Sequence, residues 1–241
     1  MLILLPPSET KARGGAGTPL DLQRLAFPEL TPIRTRLCAS LVRLSRSPKA
    51  SRAALGLSAL QDAEIAANVQ LLTSPTMPAL DRYTGVLFDA LDSSTLAPRQ
   101  RSSLLIASAL FGVLRADDPI PAYRLSGSSV LPRVRSLTGL WKPRLTRTLA
   151  NLEPVIDLRS GDYARLAPLA SAITVRVVTP AGKTVSHHNK SHKGTLARVL
   201  AGQDLESIDD VMSAAAATGV GVSRTGERSF DVIAELGALT R

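Results

Sequence analysis

Ser103 to Leu131, SLLIASALFGVLRADDPIPAYRLSGSSVL, is the stretch whose reading decides the fold. Its first seven residues are almost wholly apolar and stop at small residues and a Gly, without helical period. That pattern predicts a short buried strand over Ser103 to Ala109. Phe111-Gly112-Val113-Leu114-Arg115 then turns the chain, Asp117-Asp118-Pro119 enforces a break, and Tyr123-Arg124 follows. Arg, Asp and Tyr concentrated at the end of a buried strand are what a fold uses to build a site. Arg115, Tyr123 and Arg124 are therefore the first candidates, with Arg124 expected to hold a phosphate or to pair with Asp157.

Working outward, Leu2–Leu5 reads as a buried first strand, followed by a Gly- and Pro-rich loop that carries Ser8, Glu9, Lys11 and Arg13. Thr31-Pro32 and Ser47-Pro48 each start a helix, the first running to about Leu44 and the second ending near Gly56. Ser58 to Leu72 is amphipathic, with Leu60, Ile65, Val69 and Leu72 on one side. A helix from Arg82 to Leu91 is expected to deliver Tyr83. Leu137 to Leu152 reads as a helix with Leu140, Leu145 and Leu149 inward and Lys142, Arg144 and Arg147 outward. Beyond it the period changes. Val155–Leu158 and Ile173–Val178 read as strands, Ala181-Gly182 as a turn into a strand through His188, Ser191–Leu200 and Ile208–Thr218 as helices, and Val220–Ser223 with Ser229–Ile233 as a hairpin. Helices and hairpins interleaved this irregularly predict an α+β class, a mixed sheet with surrounding helices, and not a strictly alternating doubly wound sheet.

The composition is that of a globular protein, 44% apolar and 20% charged over 241 residues, enough for one sizeable core. Charge is its outlier: 29 basic against 20 acidic residues give a formal +9. From Arg99 to Arg147 nine basic residues face only Asp117 and Asp118. Such a concentration can hold phosphate-bearing partners. Its bland reading is a solvated face. Cys38, the single cysteine, excludes an intrachain disulfide and fits a reducing cytosol; its place in the Ile33-Leu37-Leu41-Leu44 stripe predicts a core role. No apolar run is long enough for a membrane span, and Met1–Leu5 is too short for a signal peptide. No GxGxxG, Walker A, HExxH, paired CxxC or GxSxG is present, so no cofactor is expected. His187-His188-x-x-x-His192 has an i, i+4 pair but no adjacent acid, and reads as a basic, phosphate-facing segment with Lys190 and Lys193, not as a metal site. Aromatic residues are too few for a base-stacking platform.

Five blocks, read in order, carry a resemblance. The opening MLILLPPSETK is similar to the MLILISPAKTL of the YaaA (UPF0246-type) family of peroxide stress proteins. LFGVLRADDPIPAYRL is similar to that family's LYGVLRPLDLIQPYRL, and Tyr83–Val86, Val155–Tyr163 and Val185–Arg198 resemble its VYxGL, INLASxEYF and ISxxAKKARGxMxR segments. Collinear blocks from residue 1 to about 233 imply one domain over residues 1–241, of the compact α+β type called a cantaloupe fold. They also imply a cytoplasmic protein that binds DNA through a basic cleft and limits iron-dependent oxidative damage. In the family the turn matching Ser108–Gly112 belongs to a helix-hairpin-helix that contacts phosphate; here Ala109 stands where the family has Gly. Ser8 and Lys11 are the matched polar pair of the first block. Taken together, the expected nucleic-acid or phosphate contacts are Ser8, Lys11, Arg115, Tyr123, Arg124, Lys142, Arg159, Lys190 and Lys193, with non-specific duplex DNA or a nucleotide-like ligand as partner. The competing reading is an enzyme acting on a nucleotide or other phosphorylated small molecule in a Ser/Lys/Arg/Tyr-lined pocket. A Ser-x-x-Lys pair can serve as nucleophile and base.

Overall fold

In the computed structural model, which describes residues 1–134, 136–152, 154–159, 161–183 and 188–234, the apolar run of the opening stretch forms a central strand. The elements in chain order are β1 (Leu2–Leu5), α1 (Thr31–Ser45), α2 (Pro48–Leu55), α3 (Asp62–Val69), β2 (Met77–Pro78), α4 (Ala79–Arg82), α5 (Val86–Leu91), α6 (Pro98–Ser102), β3 (Leu104–Ser108), β4 (Gly112–Arg115), β5 (Pro119–Ile120), α7 (Leu137–Ala150), β6 (Val155–Asp157), α8 (Gly161–Leu166), β7 (Ile173–Val178), α9 (His188–Leu200), α10 (Ile208–Ala216), β8 (Gly221–Gly226) and β9 (Ser229–Ile233). Among the described residues seven strands share one mixed sheet, in the order β4-β3-β1-β6-β7-β9-β8, and β2 pairs with β5 apart from it. The expected α+β domain is what forms. Its sheet is more parallel than hairpin signals suggest: β3, β1, β6, β7 and β9 all run parallel, and only the edge strands β4 and β8 are antiparallel.

Parallel pairing explains the composition of the central strands. A strand covered on both faces has no solvent side to make polar, so Ile3–Leu5 and Leu104–Ser108 are buried throughout. From β1 the chain goes to β3 on one side and then returns to β6 on the other. The strand order thus reverses at the β1/β6 boundary. Open sheets leave a crevice beyond the carboxyl ends of strands at such a point.

Several local expectations hold. Ser47 caps α2 by accepting from the Ala50 N–H, Gly56 ends it with a left-handed backbone, and α7 turns Leu145 and Leu149 inward. Cys38 lies in the core, where burial pushes its thiol up to about 12. Others fail. Of the amphipathic set only Ile65 is buried; Leu60 is 97% exposed, and Val69 and Leu72 are about half exposed. The expected Arg82–Leu91 helix is interrupted: Tyr83 is extended between α4 and α5, and Gly85 adopts φ 99°. The Ala181-Gly182 turn forms, with the Thr179 N–H donating to the Lys183 carbonyl at 2.8 Å, but its second limb, including His187, lies outside the described residues.

Two arginines, a residue type that is mostly exposed, are core components here. Arg34, fully buried, donates to the carbonyls of Phe111, Val113, Ala26 and Phe27; burial lowers its pKa to about 10. Arg82, also fully buried, donates to those of Ile120, Ala12, Gly14 and Pro75. Each guanidinium satisfies several carbonyls of loops and short edge segments at once. Asp118 works in the same way, accepting from the Ala26 and Arg115 N–H groups at 3.0 Å each.

Candidate functional site

A cavity of about 430 Å³ opens at the β1/β6 strand ends, where the strand order reverses. Pro6 and Pro7 end β1 because neither has an N–H to continue the ladder, and they lead into the Ser8–Lys11 loop. Ser8 folds that loop over: its Oγ accepts from the Thr10 N–H at 3.3 Å and lies 3.1 Å from Thr10 Oγ1, which donates to the Thr84 carbonyl. Ala12 N–H to Arg82 O at 2.8 Å, with the Lys11/Tyr83 bridge, stitches the loop to the segment before α5. Gly85 permits this contact, since a Cβ there would lie 3.3 Å from Thr10 Oγ1 and 3.4 Å from Ser8 Oγ. Pro6, Pro7, Val86, Leu87 and Phe88 supply the apolar lining of the cavity. Ser8, Glu9, Thr10, Tyr163, Asn189, Lys190 and Lys193 supply the polar groups.

Behind the Ser8–Glu9 wall lies a buried layer. Lys11 Nζ donates to the Ser8 carbonyl at 3.1 Å and sits 4.3 Å from the Tyr123 ring centroid and 5.1 Å from that of Tyr83. Desolvation outweighs the attraction of Glu9, and lowers the pKa of Lys11 to about 7. The hydroxyl of Tyr123 lies 2.7 Å from that of Tyr83 and 2.8 Å from Ser108 Oγ, and Ser108 Oγ also accepts from the Phe111 N–H. All three residues are at most 2% exposed. Burial pushes the Tyr83 phenol up to about 12 and that of Tyr123 well above its usual value. Such a chain is a neutral hydrogen-bond relay with an amine, held near neutrality, at its edge.

The sequence-derived candidates divide accordingly. Ser8, Lys190 and Lys193 line the cavity; Lys11 and Tyr123 lie in the layer behind it. Arg124 joins them by pairing with Glu9 at 3.0 Å, while its backbone is clamped by Asn68. It does not pair with Asp157. That carboxylate is held by Arg159, which donates to both of its oxygens and also to the Tyr163 and Ala167 carbonyls, so the Arg159 guanidinium is engaged internally. Lys193 is 4% exposed and donates to the Leu158 carbonyl at 2.7 Å; burial lowers its pKa to about 8, although Asp157 opposes the shift. Arg115 is elsewhere, exposed at the end of edge strand β4 with its guanidinium over the Phe27 ring. Lys142 is exposed on α7, also away from the cavity. Ser108 and Asn189 carry no distinct site signal in the sequence, and Tyr83 and Glu9, though marked in their segments, are not among the expected contacts. Ser108 was concealed inside an apolar run, where one hydroxyl among Leu, Ile and Ala was the available signal.

The turn expected to act as a helix-hairpin-helix is a β-hairpin. Ser108 pairs with Gly112 across β3/β4, residues 108–111 are at most 1% exposed, and the Trp141 indole donates to the Ala109 carbonyl at 2.9 Å. A Cβ on Gly112, at φ 78°, would lie 2.8 Å from the Trp141 ring. The turn is sealed beneath α7. Its amides do not face solvent for a phosphate.

The basic excess of Arg99–Arg147 is also broken up. Arg99 pairs with Asp204, Arg101 with Asp81 and Asp117, and Arg124 with Glu9. Lys142, Arg144 and Arg147 remain exposed on α7 with no acidic partner among the described residues. Arg144 and Arg147 border a groove of about 310 Å³ that Ile33 of α1, Leu140 and Pro143 also line. Arg36 and Arg43 of α1 are exposed nearby in sequence to Ile33, and Arg36 donates to the Arg133 carbonyl. Lys142 faces a different side, about 140° around the helix from Arg147 at 100° per residue.

The family model described as peroxide stress protein YaaA matches residues 1–219. A UPF0246 protein of Corynebacterium efficiens is 49% identical over 232 residues, covering 92% of this chain and 94% of that protein. One from Streptomyces coelicolor is 41% identical, covering 83% and 82%. Blocks matched along nearly the whole length, over a sheet that needs β1 and β9 alike, place the chain in the YaaA family of peroxide stress proteins.

Proposed function

We propose that this peroxide stress family member binds duplex DNA through its phosphates and thereby limits iron-dependent damage. The observation that carries the reading is the uncompensated basic surface around the α1/α7 groove, where Arg144 and Arg147 have no acidic partner among the described residues. A net charge of +9 draws the protein to a polyanion, and few aromatic side chains are available for reading bases. Neutralising a phosphate releases its condensed counterions. Ferrous ion held as such a counterion would leave the backbone with the rest, so covered DNA offers peroxide fewer sites at which to make radicals. The basic surface used is α7 and α1, not the buried Ser108–Gly112 turn.

The test is fluorescence anisotropy of a short duplex across a salt series. Affinity should fall by about 0.9 log units per log unit of salt for each phosphate neutralised. Replacing both Arg144 and Arg147 with Ala should lower that slope by about 2 and leave thermal stability unchanged. Absence of binding at low salt refutes the proposal, as does a slope that the double substitution does not alter.

A further inference from the structure

We infer that the β1/β6 cavity is a second, separate binding site, for a free nucleoside monophosphate. Position, size and chemistry converge on it. The cavity lies at the reversal of strand order, where open parallel sheets bind small ligands, and its volume of about 430 Å³ is in the range of small-molecule sites. Pro6, Pro7 and Phe88 in its lining offer apolar surface to a flat, weakly polar body. Lys190, exposed and without a partner among the described residues, also lines it from the first turn of the thirteen-residue helix α9. A cation and a helix N-terminus together suit a phosphate.

A ligand that brings a phosphomonoester and a flat body together is a nucleotide; inorganic phosphate lacks the flat body and a nucleoside lacks the phosphate. The Ser8 and Thr10 hydroxyls are placed to meet the sugar. The α7 groove is lined by none of the same residues.

Calorimetric titration of the full chain with AMP, adenosine and inorganic phosphate tests the assignment. AMP should bind measurably, and adenosine and phosphate at least about tenfold more weakly. Lys190→Ala, at an exposed position, should weaken AMP about tenfold and leave adenosine unchanged. Val86→Trp should abolish binding of both by filling the cavity, with its thermal stability measured alongside. The Arg144→Ala/Arg147→Ala protein should bind AMP normally, and Lys190→Ala should bind duplex DNA normally. No mononucleotide binding at millimolar concentration overturns the inference. So does AMP binding that is unaffected by Lys190→Ala, or that is lost with the α7 arginines.

Discussion

Tyr123→Phe removes one oxygen that serves two buried partners, which makes its cost calculable. Tyr123 OH lies 2.7 Å from Tyr83 OH and 2.8 Å from Ser108 Oγ, with all three groups shut away from water. A net hydrogen bond contributes about 1 kcal/mol, and a buried polar group left unpaired costs about 1–3 kcal/mol. Ser108 keeps its bond from the Phe111 N–H, so it is not orphaned. Tyr83 OH loses its closest hydroxyl partner. The expected loss is therefore about 2–3 kcal/mol, which for a chain of this size lowers Tm by about 5–10 °C. Tyr83→Phe should cost only about 1 kcal/mol, because Tyr123 still bonds to Ser108. In the double substitution the orphaned Tyr83 hydroxyl is gone, so the pair should cost little more than Tyr123→Phe alone and show a coupling of about 1 kcal/mol. Urea denaturation of the four proteins at one pH measures each term. Equal single effects that add within about 0.3 kcal/mol would refute the relay as an energetic unit.

Two further outcomes follow from burial. Lys11 and Lys193 titrate near 7 and 8 in the folded protein against about 10.4 unfolded, so between those values the unfolded chain holds more protons and stability must rise with pH. The buried tyrosines, raised in the native state, keep their contribution until about pH 10 and lose it above; thermal melts should therefore show a maximum near pH 9–10 that Lys11→Met flattens, and a fall in Tm from pH 7 to 9 would contradict the burial of both amines. Gly194 lies where α9 meets α5, and a Cβ there would press directly on the Leu87 carbonyl oxygen and lie 2.9 Å from Ala90 Cβ. Gly194→Ala should destabilise by about 1–3 kcal/mol by overpacking, read by denaturation, despite alanine's better helix propensity; a gain in stability would mean that the two helices are not in contact.

The elements were legible in sequence wherever their cause is local. Ser47-Pro48 and Gly56 bracket α2 because cap and left-handed terminus act within one turn, and the apolar Leu104–Ile106 run marks a strand whatever its neighbours. Collinear blocks likewise indicated the family, and with it the α+β domain. Local signals misled where a distant partner decides. Leu60, Val69 and Leu72 keep a helical stripe yet find no surface to cover, whereas Arg34 and Arg82 are buried because carbonyls 38 to 79 residues away need donors. The motifs suggest a pocket shared by Ser8, Tyr123 and Lys190, but nothing near them in the chain tells that Tyr123 would lie behind its wall, or that Arg115 and Lys142 would lie elsewhere. That was decided by the return of the chain from β4 to β6 beside β1, since strand order is set by how a whole parallel sheet buries both of its faces.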